Sequence, residues 1–353
     1  MAKTGFESDD IKTTKIQMIF FLPRKSKICR TIIYNSFDMC KLLYLYQNYV
    51  FNTFHSFTFN WHKFPVAIEM SHFFSFFSFM NRTEIFANIQ AKQSYLCIGL
   101  DPDPAQLPVH LPKTITGMLE FNEQIILATS SLCVSYKLNL AFYEAMGSQG
   151  WSLFEDTLKL IPSDQFIIAD AKRGDIGNTS FKYAKSFFDP CHQYRVDAVT
   201  VNPYMGSDSI LPFMSYPQKW VIALALTSNE GAADFQKLKL ESGEMLFEQV
   251  IKKLKIWGNP DQLMIVAGAT QSTLLKKVRE LAQDYFLLVP GIGAQGGDLE
   301  AVSRDAMNKH CGLLVNVGRS IIYASQGLDF AEKATQAAFE IQQEMKQYLS
   351  VYL

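Results

Sequence analysis

The chain has 353 residues, 48% of them apolar, with 33 lysines and arginines set against 34 acids. That length supports a large core in one barrel-sized domain or two ordinary ones, and a net charge of −1 gives no long-range pull towards nucleic acid or an anionic membrane. No apolar run approaches the ~20 residues of a bilayer span, and the six cysteines (Cys29, Cys40, Cys97, Cys133, Cys191, Cys311) form neither a C-x-x-C pair nor a dense disulfide framework.

Reduced thiols and a cytoplasmic location follow as the simplest expectation. Residues 1–79 read differently from the rest. They hold 14 of the 28 phenylalanines, one of the 19 glycines (Gly5), and nine basic against five acidic residues. Runs such as Phe73-Phe74-Ser75-Phe76-Phe77 follow neither a helical nor a strand period. Glu7, Asp9 and Asp10, and the lack of an Arg-rich amphipathic face, argue against a targeting presequence. The expectation is an N-terminal extension outside the folded domain, either disordered or a reading frame extended upstream, with Met80 as a natural start. Residues 80–353 are then expected to form the single folded domain.

From Ser94 onward, short apolar runs recur: YLCIGL from Tyr95, VSYKL from Val134, FIIADAK from Phe166 and DAVTVNPY from Asp197. WVIALALT from Trp220, LMIVAGA from Leu263, YFLLVPG from Tyr285 and GLLVNVG from Gly312 follow. They are rich in Val, Ile and Leu without clean alternation, as parallel strands buried on both faces should be. Helix-like segments lie between them, such as GMLEFNEQIILATSS from Gly117 and GEMLFEQVIKKLKIW from Gly243. Eight β–α units in about 260 residues predict an α/β chain closed into a (β/α)8 TIM barrel. The runner-up is a doubly wound open sheet, which lacks its G-x-G-x-x-G after the first strand.

Chemistry in such a barrel belongs at the C-terminal strand ends. The third strand runs into Asp170-Ala171-Lys172-Arg173-Gly174-Asp175, and the period of two turns Asp170 and Lys172 the same way, inward. The second strand carries Lys137 at its end and Asn139 two residues later. Neighbouring strands lie about 4.8 Å apart, so Lys137, Asp170 and Lys172 can form one charged array, with Asp175 reaching further out. A single charge here would be an ordinary loop or salt-bridge residue. Several on adjacent strands are costly unless grouped, and a grouped array is poised for proton transfer. The loops after strands seven and eight, PGIGAQGGD from Pro290 and NVGRS from Asn316, occupy the usual phosphate position of this fold. Their glycines let backbone N–H groups approach an anion, and Arg319 adds a charge, with Gln295 nearby. A phosphorylated small molecule is the expected ligand.

The run DAKRGDIGNT, with Lys137 upstream and PGIGAQGGD and NVGRS downstream, resembles orotidine 5′-phosphate decarboxylases. CIGLDPD, YKLNLAFYE and VNPYMG resemble the longer branch found in bacteria and some protozoa, and the likeness runs from about residue 83 to the C-terminus. The resemblance implies that Lys137, Asp170, Lys172 and Asp175 are the catalytic Lys-Asp-Lys-Asp set. Lys172 would protonate C6 as carbon dioxide leaves, Asp170 would face the substrate carboxylate, and Lys137 would orient Asp170 and touch the ribose. A homodimer is implied, with Asp175, Ile176 and Thr179 donated into the partner's site. Asp101 and Asn139 would meet the ribose, Ser228 the pyrimidine edge, and Gln295, Gly318 and Arg319 the phosphate. Pro290 counts with these substrate-binding positions.

The implied reaction, orotidine 5′-phosphate (OMP) to UMP, leaves its electron pair in an sp² orbital outside the ring π-system, so no metal or organic cofactor is expected. The six histidines (His55, His62, His72, His110, His192, His310) show no metal-ligand spacing. Neither a nucleic acid nor a membrane is expected as a partner. The alternatives are a magnesium-dependent sugar-phosphate decarboxylase or synthase of the same superfamily, and a non-catalytic phosphate-binding barrel. The magnesium enzymes carry an acid at the end of strand two, where this chain has Lys137.

Overall fold

The computed structural model describes residues 80–189, 195–268, 272–292 and 297–353, and two short strands nearer the N-terminus. Those two, Ile16–Met18 and Ile32–Tyr34, pair antiparallel with each other. The expectations for the rest of residues 1–79 lie outside the described residues.

The body is a closed barrel of eight parallel strands. In chain order they are β1 Leu96–Gly99, β2 Ser135–Asn139, β3 Phe166–Arg173 and β4 Ala198–Val201. Then come β5 Trp220–Leu226, β6 Leu263–Ala267, β7 Phe286–Pro290 and β8 Leu313–Val317. Each predicted run supplies one strand, and β8 pairs with β1 to close the ring, which excludes the open-sheet alternative. The strands are apolar along their length because both faces are covered, by barrel interior on one side and helices on the other. Ile98, Tyr136, Ile168, Val199 and Leu314 are all fully buried.

The helices form where caps and apolar spacing agree. Helix α1, Arg82–Lys92, opens on a capping box: Asn81 Oδ1 accepts from the Glu84 N–H at 3.0 Å, and the Asn81 N–H donates to Glu84 Oε2 at 2.7 Å. Just ahead of it, Met80 is buried, and its carbonyl accepts the Trp220 indole N–H at 2.8 Å. Helix α2, Ile115–Thr129, buries Met118, Phe121, Ile125 and Ile126, one face at helical spacing. After β2 come α3, Leu140–Glu144, and α4, Gly147–Leu160; after β3 comes α5, Gly177–Phe188. A single-turn helix, Arg319–Ile322, follows β8, and a 23-residue helix, Phe330–Tyr352, ends the chain. Among the described residues no helix is long and apolar enough to cross a membrane.

Candidate active site

The register places three charges side by side. Asn139 on β2 lies opposite Asp170 on β3, and Lys137, two residues earlier, faces the same side as Asn139. Lys137 Nζ reaches Asp170 Oδ2 at 3.0 Å, and Lys172 Nζ reaches Asp170 Oδ1 at 2.8 Å. Asp170 thus sits between two ammonium groups. Lys137 and Asp170 are buried, at 5% and 9% exposure, whereas the Lys172 side chain is half-exposed at the rim. The inward direction expected for Lys172 holds for its ion pair, and its head stays open to solvent.

Strand β3 is irregular at this point. Ala169 pairs with Val199 and Arg173 with Val201, so two extra residues of β3 bulge out between them. Within the bulge Lys172 has φ +45°, in the left-handed region that lysine seldom adopts. Thr200 of β4 spans the gap: its Oγ1 accepts from the Lys172 N–H at 2.8 Å and donates to Asp170 Oδ1 at 2.9 Å. The strained backbone and the carboxylate are therefore pinned by one hydroxyl.

Electrostatics favour a fully ionised trio. Burial alone would push the Asp170 pKa up, but the Lys137 and Lys172 ammoniums outweigh it and hold the carboxyl well below the usual carboxylate range. Burial opposes the charge on Lys137, and Asp170 and then Asp101 outweigh that, so its pKa is raised. Cys97 sits behind the trio with its thiol pushed up to about 12 by burial, which leaves it a neutral packing group rather than a nucleophile.

The other candidate residues ring the same strand ends. Asp101 follows β1, and its Oδ1 accepts from the Asn139 N–H at 3.0 Å. The Asn139 side chain is occupied as the N-cap of α3, accepting from the Ala141 N–H at 3.3 Å. Pro290 ends β7 in register with Asn316 on β8. Gly318 backs onto β1: a Cβ on Gly99 would lie 3.3 Å from the Gly318 Cα. Arg319 is exposed on the turn after β8. Ser228 is half-buried beyond β5. A Cβ on Gly268 would come within 2.8 Å of the Ser228 backbone, so only glycine lets the end of β6 approach it this closely. Gln295 lies outside the described residues. Asp175 stands apart from the trio. Its Oδ1 accepts from the Ile176 N–H at 2.7 Å, and among the described residues it pairs with neither lysine. Ile176 is 56% exposed and Thr179 is exposed on the first turn of α5.

The profile of the orotidine 5′-phosphate decarboxylase / HUMPS family matches residues 94–334, a stretch containing the trio and both glycine loops. The chain belongs to this family. Its similarity to the decarboxylase of Parabacteroides distasonis is 53% identity over 273 residues, covering 76% of this chain and 96% of the relative. With that of Bacteroides fragilis it is 51% over 277 residues, covering 78% and 100%. The solved OMP decarboxylase of Leishmania donovani is 33% identical with a TM-score of 0.63, covering 75% of this chain and all of that one. The Leishmania donovani UMP synthase is 36% identical with a TM-score of 0.63, covering 73% of this chain but 56% of the longer synthase.

Within this family fold, sequence reasoning missed Thr200 and Gly268. Thr200 is the lone hydroxyl in the apolar run Ala198-Val199-Thr200-Val201, on the strand beside Asp170, and that was the available signal. Gly268 carried none, since a glycine after a strand reads as an ordinary turn.

Proposed function

We propose that this chain is an orotidine 5′-phosphate decarboxylase in which Lys172 protonates C6 of the pyrimidine as carbon dioxide departs. The observation that carries this reading is the Lys137–Asp170–Lys172 trio at the C-terminal mouth of a barrel of this family. The C6–carboxylate bond breaks heterolytically, and its electron pair stays on C6 in an sp² orbital. A proton from Lys172 Nζ then forms the C6–H bond and leaves a neutral amine. Because the Lys172 head is half-exposed, water can return the proton for the next turnover.

Asp170 has two tasks in this scheme. It holds the Lys172 ammonium on a fixed line before any charge develops on carbon. It also places a negative charge where the substrate carboxylate is to lie, a repulsion relieved when carbon dioxide leaves. Lys137 keeps Asp170 ionised within the buried wall. No metal or organic cofactor has a part in the scheme, because the ammonium supplies the counter-charge where the carbanion grows. Asp101 takes a ribose hydroxyl, Ser228 the pyrimidine edge, and Pro290 borders the base. Gln295, Gly318 and Arg319 hold the phosphate, whose binding energy orders the reacting end.

The site is completed by a second subunit. Asp175 is unused by the trio of its own chain, and the exposed Ile176 and Thr179 flank it on α5. These three residues enter the partner's site in a homodimer. Free Cys97, Cys133 and Cys311 fit a reducing compartment, the cytoplasm.

The deciding experiment incubates the purified chain with OMP in excess EDTA and follows the pyrimidine absorbance as UMP forms. Turnover undiminished by EDTA is expected. Turnover of sugar phosphates with magnesium, and none of OMP, would overturn the reading.

A further inference from the structure

We infer that Tyr323 is a positioning residue that ties the anion-gripping turn after β8 to the acid loop after β1, so that seating a phosphate on the turn sets Asp101. This rests on the decarboxylase reading above. The Tyr323 hydroxyl accepts from the Asp103 N–H at 2.7 Å and donates to the Asp101 carbonyl at 3.1 Å. One oxygen thus holds the main chain on both sides of Pro102. Burial pushes this phenol up to about 12, so it remains a neutral donor throughout the working range.

The hydroxyl is itself well fixed. The Tyr323 ring stacks on Phe121 of α2 with centroids 5.5 Å apart, and Phe121 stacks in turn on Phe330 at 5.5 Å. On the other side, the Tyr323 N–H donates to the Arg319 carbonyl at 3.1 Å. From the guanidinium-bearing residue to the acid loop, the connection is a single helical turn and one hydroxyl. Asp101 passes any shift onward, because its carboxylate receives the Asn139 N–H and helps keep Lys137 charged. A second tyrosine steadies the neighbouring residue: the buried Tyr143 hydroxyl donates to the Leu100 carbonyl at 2.9 Å, from α3. Tyr323 is the one of the two carried by the phosphate turn, which makes it the transmitting member of the pair.

The test is a double-mutant cycle on the full chain with OMP as substrate. Tyr323→Phe keeps the ring on Phe121 and deletes the hydroxyl, and thermal midpoints check that each variant is folded as its parent is. In the wild-type background kcat/KM should fall about tenfold, within the usual range of a coupling between sites. In an Arg319→Ala background the same substitution should cost less than about twofold, since a turn without its anion grip has nothing to transmit. Equal costs in the two backgrounds would mean that the hydroxyl only supports its own loop, and would overturn the inference. So would the absence of any cost in wild type. A wild type that turns over OMP while the cycle is additive sinks the tie alone. A wild type inert towards OMP removes the decarboxylase reading and the tie with it.

Discussion

Lys172 Nζ meets Asp170 Oδ1 at 2.8 Å from a backbone held at φ +45°, inside a two-residue bulge of β3. In a regular strand, side chains at i and i+2 stand parallel, about 6.6 Å apart. The bulge brings them together, and holding a non-glycine residue in the left-handed region costs about 1–3 kcal/mol. Strain of that size, pinned by Thr200, falls on the residue proposed as the proton donor.

Lys172→Ala should therefore lower kcat by at least about 10³-fold, the scale of a lost general acid. The affinity for UMP, read by calorimetry, should stay within a few-fold, because the proposed phosphate and ribose contacts lie on other strands. A comparable loss of binding and turnover would sink the proton-donor role.

Asp170→Asn leaves the Lys137 ammonium buried beside a neutral amide. Breaking such a pair costs about 3 kcal/mol or more, so urea unfolding near pH 7 should show a loss of that order. The folded pKa of Asp170 is depressed below its ordinary 3.8, so its share of stability is present above that pH and lost as pH falls through the folded value. The stability gap between wild type and variant should hold from pH 5 to 7 and narrow below about pH 4. A gap unchanged down to pH 2.5 would mean that the carboxylate is not the stabilising species.

The proposed sharing of Asp175 between subunits has a stoichiometric signature. Lys172→Ala and Asp175→Ala chains should each be nearly inactive alone. Mixed and allowed to exchange, they should recover about a quarter of wild-type activity, since half the dimers are mixed and each has one intact site. No recovery, with exchange verified by mass, would place Asp175 in its own chain's site.

Met80 bears on the start of the folded body. Residues 80–353 should fold with the thermal midpoint of the full chain, because the capping box of α1 and the Trp220–Met80 hydrogen bond are both retained. Removing Met80 and Asn81 as well orphans the buried indole N–H and uncaps α1, at a cost of about 2 kcal/mol. Equal midpoints for the two truncations would mean that neither contact matters.

The barrel was legible because buried parallel strands leave unbroken Val, Ile and Leu runs, and because the glycine loops and the DAKRGD segment fall at their C-terminal ends. The Lys137–Asp170 pair was legible for a related reason: period two fixes which neighbours share a face, whereas the bulge brings Lys172 onto Asp170. What stayed hidden depends on backbone detail and long-range pairing. Nothing in a lysine codon announces a left-handed φ. Thr200 looks like any β-branched strand residue until β4 is laid beside the bulge. Tyr323 reaches the Asp101 carbonyl across 222 positions of sequence, a contact that only the closed ring creates. Asp175, expected to reach further out than the other three charges, does stand apart from them, its Oδ1 accepting from the Ile176 N–H.

The seam between β8 and β1 joins the two ends of the ring, with Gly318 backing onto Gly99. Lys137, Asp170 and Lys172 leave the ribosome well before Arg319 does. On the proposed roles, the growing polypeptide holds its chemical machinery before it has the grip that seats a nucleotide on it. Turnover would then certify a finished ring, and a fragment clipped ahead of the last strand should be silent however well its charges are arranged.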